Sequence, residues 1–184
     1  MKIWREIICL GDSLTYGARD EFGRSYPAEL SKILREKTGD YWFCHNYGIN
    51  GNTSSDLYRR SWSILKSNEN AKIVNLLIGT NDTKIPMPKD IFMDNVSTIV
   101  AQAKCLGKQV IIGTVPNLGL SPAYLKNKDF IIFYNEILKI ISEEYDTFLL
   151  ELIDLENLMI DGVHFKNAGN KKIAQLFADF ILKL

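Results

Sequence analysis

Ile73-Val74-Asn75-Leu76-Leu77-Ile78 runs directly into Gly79-Thr80-Asn81-Asp82. A near-continuous apolar run of this length predicts a strand covered on both faces, the pattern of a parallel sheet. Outward from it, in both directions, short β-like runs alternate with helical spacing. Ile3 to Leu10 reads as the first strand, Tyr41 to Tyr47 as an aromatic-rich second, Val110 to Val115 as the fourth and Thr147 to Ile153 as the fifth. Pro27 to Lys37 reads as a helix burying Leu30, Ile33 and Leu34, and Ser54 to Ser67 as one with Leu57, Trp62 and Leu65 to bury. Ile91 to Leu106 carries helical spacing at Val96, Ile99, Val100 and Ala103, and Asp129 to Glu144 is the next helix. Ile173, Leu176, Phe177, Phe180, Ile181 and Leu184 make one apolar face of a last helix, with Asn167 as its N-cap. Five strands alternating with five helices predict an α/β fold, a mostly parallel five-stranded sheet wrapped on both faces.

Composition bounds the function. The 184 residues are 46% hydrophobic and 24% charged, as in ordinary globular chains. No repeat, low-complexity tract or linker divides residues 1–184, so a single domain is expected. The 22 basic and 22 acidic residues balance, leaving no net field to favour nucleic acid or an anionic membrane. Glu143-Glu144 and Lys171-Lys172 are short enough to be solvated helix faces. Cys9, Cys44 and Cys105 are an odd count without metal-ligand spacing; each sits in or beside an apolar stretch, which predicts burial rather than a disulfide framework. Charges at Lys2, Arg5 and Glu6 interrupt the start too early for a signal peptide, and no stretch approaches the ~20 apolar residues of a membrane helix. A cytoplasmic protein without stable membrane insertion is expected. Nothing in the sequence reads out an oligomeric state.

Four polar clusters fall at strand exits: Gly11 to Thr15 after the first, Gly48 to Ser54 after the second, Gly79 to Thr83 after the third, and Asp161 to Phe165 beyond the fifth. In open α/β sheets ligands collect at the carboxyl ends of the strands, so all four belong to one rim. Ser13 supplies a hydroxyl, which needs a base to become a nucleophile at neutral pH. Of two histidines, His45 lies inside a strand pattern and reads as structural, whereas His164 sits in a turn on the rim. Asp161 can fold back through Gly162 to accept from that imidazole, fixing its tautomer. The Ser13 and Gly51 backbone N–H groups and the Asn81 side-chain amide are candidate donors to an oxyanion. Each taken alone has a plainer reading: a helix cap at Asp12 or Ser13, an Asp-Gly turn at 161–162, turn residues at 51 and 81. Their convergence on one rim argues for the catalytic one.

Gly11-Asp12-Ser13-Leu14, Gly51, Gly79-Thr80-Asn81-Asp82 and Asp161-Gly162-Val163-His164 resemble the four sequence blocks of the SGNH hydrolases, or GDSL esterases, in order and across nearly the whole chain. The resemblance implies a flavodoxin-like, three-layer α/β/α domain. It also implies Ser13 as nucleophile, His164 as base, Asp161 as its orienter, and Ser13, Gly51 and Asn81 as the oxyanion hole. No cofactor or metal is implied. Phe165 departs from the family, where proline is common, and is expected to alter the pocket rim. Asn117 to Asn127 reads as a modest loop rather than a lid. Tyr16, Phe22, Tyr26, Tyr124 and Phe165 are candidate aromatic pocket walls.

The reaction expected is cleavage of a carboxylic ester through an acyl-enzyme, on a small-molecule substrate such as an acylated sugar or lipid, with short acyl groups favoured by short loops. An acyltransferase, a lysophospholipase or a thioesterase is chemically close. A non-catalytic binding module, or a phosphate-binding loop at residues 11–15, is the alternative outside ester chemistry. The latter lacks any P-loop or dinucleotide fingerprint.

Overall fold

The computed structural model describes residues 1–119 and 121–184; Leu120, inside the segment read as a loop, lies outside them. The strands are β1 (Trp4–Gly11), β2 (Tyr41–Gly48), β3 (Ile73–Leu77), β4 (Gln109–Gly113) and β5 (Phe148–Leu150). The helices are α1 (Ser13–Tyr16), α2 (Tyr26–Thr38), α3 (Ser54–Ser67), α4 (Thr80–Lys84), α5 (Lys89–Cys105), α6 (Pro122–Leu125), α7 (Asp129–Glu144) and α8 (Asn167–Ile181). The five strands pair in parallel in the order β2-β1-β3-β4-β5, the flavodoxin-like winding. The winding reverses between β1 and β3, which opens a crevice beyond their carboxyl ends.

Alternation along each strand divides the core into two layers. Ile8, Leu10, Val74, Leu76, Val110 and Ile112 pack with the apolar stripes of α3, α5 and α7. Ile7, Cys9, Leu77 and Ile111 pack with those of α2 and α8. Each such fully buried side chain contributes ~1.5–3 kcal/mol through apolar area removed from water. Among the described residues no helix is long and apolar enough to cross a membrane.

Several expectations give way to tertiary context. Trp62 is 44% exposed, because α3 turns Leu57, Ser61 and Leu65 inward at i, i+4 and i+8. Ser61 is tolerated there because its Oγ donates to Gln102 Oε1 on α5 at 2.7 Å. Cys9 and Cys44 are buried, but Cys105 is exposed, since α5 makes its last buried contact at Ala103. β5 spans only three residues: the Leu152 N–H leaves the ladder and donates to the Thr114 hydroxyl at 2.8 Å. Part of the segment read as a loop is the single turn α6. Asn167 is the first residue of α8 rather than its cap, and its backbone N–H is satisfied from a distance by Glu21 Oε2 at 3.0 Å.

Candidate active site

At the end of β1 the chain closes at once into α1. Asp12 caps that turn, its Oδ1 accepting from the Leu14 N–H at 2.9 Å. The Asp12 side chain is fully buried, its other oxygen has no hydrogen-bond partner among the described residues, and burial pushes the carboxyl up to about 7. Ser13 is therefore fixed at the first residue of α1, over the crevice between β1 and β3.

The second half of the site arrives 151 residues later in the chain. Asp161 folds back on its own turn, Oδ1 accepting from the Val163 N–H at 3.0 Å and the His164 N–H at 2.8 Å, with Gly162 at φ 78°. Its Oδ2 lies 2.8 Å from His164 Nδ1, and His164 Nε2 lies 3.0 Å from Ser13 Oγ. Partial burial works against the Asp161 charge, but hydrogen bonds from the His164 backbone and imidazole and from Val163 outweigh it and hold the carboxyl below its usual range. An ionised Asp161 can only accept, so Nδ1 donates to it, and in the neutral imidazole Nε2 then presents its lone pair to the serine hydroxyl.

The remaining sequence candidates close the same space. Gly51 takes φ 79°, in the left-handed region, and an added Cβ there would meet nothing within 4 Å. Its glycine is thus required by the backbone turn, not by crowding. Asn81, on α4, donates one amide hydrogen to the Asn52 carbonyl at 3.0 Å, and the second meets no acceptor among the described residues. Ser13, Gly51, Asn81 and His164 line one cavity of about 390 Å³ together with Asn50, Tyr16, Ala18, Arg19, Lys84 and Tyr124.

Of the five aromatic candidates, Tyr16 and Tyr124 line this cavity. Tyr26 does not: it lies in α2, fully buried, its ring stacked 5.3 Å from that of Phe177. Phe165 is 2% exposed and points into the α8 side of the core, so it shapes packing rather than the rim. Phe22 is exposed and outside the cavity. His45 pairs with Glu6 at 2.9 Å, meets the Phe43 ring edge-on and stacks on Tyr47, a structural role.

Arg19 and Lys84 were not singled out in the sequence. Arg19 Nη1 lies 2.9 Å from the same Asp161 oxygen that faces the imidazole, on a backbone at φ 63°. Both cations sit a few residues past a strand-exit block, six after Ser13 and three after Asn81, the one signal that could have marked them. Asp82, in contrast, turns away from the cavity. It is buried, accepts from the Ser54 N–H and hydroxyl, and anchors the start of α3.

The sequence model of the GDSL-like lipase/acylhydrolase family matches residues 9–172. The chain belongs to that family. This GDSL-family membership places it among enzymes that hydrolyse acyl esters. It is 25% identical to an acetylxylan esterase of Xylanibacter ruminicola, a match covering 94% of this chain but 42% of that protein. The chain therefore spans less than half the length of that relative. It is also 25% identical to an arylesterase of Vibrio mimicus, over 97% of this chain and 88% of the other. The crystal structure of a lipase/acylhydrolase from Enterococcus faecalis shares the fold with a TM-score of 0.83, at 21% identity and with 96% and 95% of the two chains covered.

Proposed function

We propose that this GDSL-family chain cleaves small carboxylic esters, Ser13 attacking the carbonyl as His164 takes its proton. The observation that carries this is the continuous relay from Asp161 Oδ2 through His164 to Ser13 Oγ, with steps of 2.8 and 3.0 Å, opening on a cavity shared with Gly51 and Asn81. In the tetrahedral intermediate the former carbonyl oxygen accepts from the Ser13 and Gly51 N–H groups and the second Asn81 amide hydrogen. His164 then returns its proton to the leaving alcohol. Water, activated at the same Nε2, releases the acid and restores the serine.

A cavity near the small end of the ~300–1,000 Å³ range for ligand pockets supports short acyl groups. The names borne by the two relatives, acetylxylan esterase and arylesterase, support acetyl esters of sugars or aryl alcohols as the substrate class. The test is a p-nitrophenyl ester series from C2 to C12 combined with fluorophosphonate labelling. The expected result is a kcat/KM maximum at C2–C4 and a single label on Ser13, mapped by peptide mass. A maximum at C10 or beyond overturns the short-acyl reading, and a label elsewhere overturns the nucleophile.

Arg19 shares the Asp161 carboxylate with His164. With Arg19 65% exposed, solvent screening keeps the pair weak, so Arg19→Met is expected to change kcat/KM on p-nitrophenyl acetate by less than about fivefold. A loss of about a hundredfold or more shows that Arg19 does more than share the carboxylate.

A further inference from the structure

Arg60 projects from the second turn of α3 beneath the cavity without lining it. Its Nη2–H donates to the Gly11 carbonyl at 2.8 Å, its Nη1–H to the Tyr47 carbonyl at 2.8 Å, and its Nε–H to Asn52 Oδ1 at 2.9 Å. Gly11 is the last residue of β1, and Tyr47 the last but one of β2. Asn52 follows Gly51, and its carbonyl is the acceptor that holds the Asn81 amide. One guanidinium thus grips the segment leading into Ser13, the strand leading into the 49–53 turn, and the residue that orients Asn81.

The setting excludes an ordinary surface ion pair. Among the described residues no carboxylate lies within 4 Å of the Arg60 guanidinium, whose nitrogens are spent on neutral oxygens. The planar fork spans three acceptors at fixed angles, which a single ammonium does not. The base from which it projects is itself fixed. Thr53 and Asp56 close a capping box at the start of α3, and Ser54 is held by Asp82.

We propose that Arg60 is a positioning residue for ester hydrolysis, holding the Gly51 and Asn81 donors in register with Ser13. This rests on the ester-hydrolase reading of the site. An oxyanion hole works only when its donors converge on where charge develops, and a misplacement of ~1 Å costs on the order of 10²-fold in rate. Arg60 acts chiefly on kcat, because the hole closes on the tetrahedral intermediate more tightly than on the ester.

The test compares Arg60→Met, Arg60→Lys and Asn52→Ala with the unsubstituted chain on p-nitrophenyl acetate. Rates are normalised to competent sites by burst titration, and phenylboronic acid, which forms a tetrahedral adduct with serine, is measured as inhibitor. Arg60→Met is expected to lower kcat about 10²-fold per competent site with KM within about threefold, and to raise the boronate inhibition constant in step. Arg60→Lys is expected to recover only part of the loss. Asn52→Ala leaves both strand contacts and removes only the link to the turn; an intermediate loss of about tenfold in kcat is expected. If Arg60→Met does not fold, Asn52→Ala decides. An unchanged kcat per competent site in the variants that fold, or a loss confined to the number of competent sites, overturns the proposal. An unsubstituted chain that neither hydrolyses the ester nor takes the fluorophosphonate label overturns the ester reading itself, and the positioning role with it.

Discussion

Ser13→Ala is expected to lower kcat on p-nitrophenyl acetate by roughly 10⁴–10⁶-fold, the range seen when a member of a serine-hydrolase triad is removed. The residue is 5% exposed, and among the described residues its Oγ makes one hydrogen-bond contact, the 3.0 Å approach to His164 Nε2. Alanine keeps every other interaction of the turn, because the cap of α1 is Asp12 and not Ser13. Stability should therefore change little, by about 1 kcal/mol at most for one lost hydrogen bond. Turnover, thermal unfolding and fluorophosphonate labelling measured on the same preparation separate the two effects. A variant that keeps more than about one hundredth of the activity means that the hydroxyl is not the nucleophile.

The second large effect is steric. A Cβ on Gly48 would collide with the Tyr16 nitrogen and lie 2.7 Å from the Asp12 carbonyl oxygen and 2.7 Å from the Thr15 carbonyl carbon. All three are backbone atoms of the turn that carries Ser13, so no side-chain rotation relieves the clash. Overpacking a fixed site costs typically 1–3 kcal/mol, and this site belongs at or above the upper end. For a chain of this length about 3 kcal/mol corresponds to a fall of roughly 6–12 °C in Tm. To the extent that α1 yields, Ser13 moves away from His164, so Gly48→Ala is expected to lose activity as well. Calorimetry alongside kcat checks both; an unchanged Tm would show that β2 and α1 separate more easily than their packing implies.

Much of the architecture was legible because it is repetitive. Apolar strands such as Ile73–Leu77 and the stripe along α8 announce their own periodicity. Helices α3 and α7 begin and end at the residues read from the sequence. The strand-exit rule was enough to bring Ser13, Gly51, Asn81 and His164 to one cavity, with Asp161 behind the imidazole. What stayed hidden was set by distant neighbours. Trp62 looks like core until the α3–α5 contact selects Ser61 in its place. Tyr26 and Phe165 are aromatic residues flanking motifs, and only the docking of α8 shows that they are buried. Gly48 is an unremarkable turn glycine until α1, more than 30 residues earlier, is seen lying against it. Arg60 is one of two adjacent arginines on an amphipathic helix, and Arg59 pairs with Asp56 near the surface while Arg60 turns inward. Helical phase alone does not tell which of the two meets the strand ends.

The 151-residue separation between hydroxyl and imidazole has a consequence for biosynthesis. A ribosome-bound intermediate truncated before residue 161 carries the hydroxyl without its proton acceptor, and so holds no relay. The two groups come within 3.0 Å only when the segments that carry them are folded onto the same sheet edge. On the proposed mechanism, hydrolysis reports that both ends of the relay are folded against each other, and a copy lacking residues 161–164 is expected to stay chemically silent.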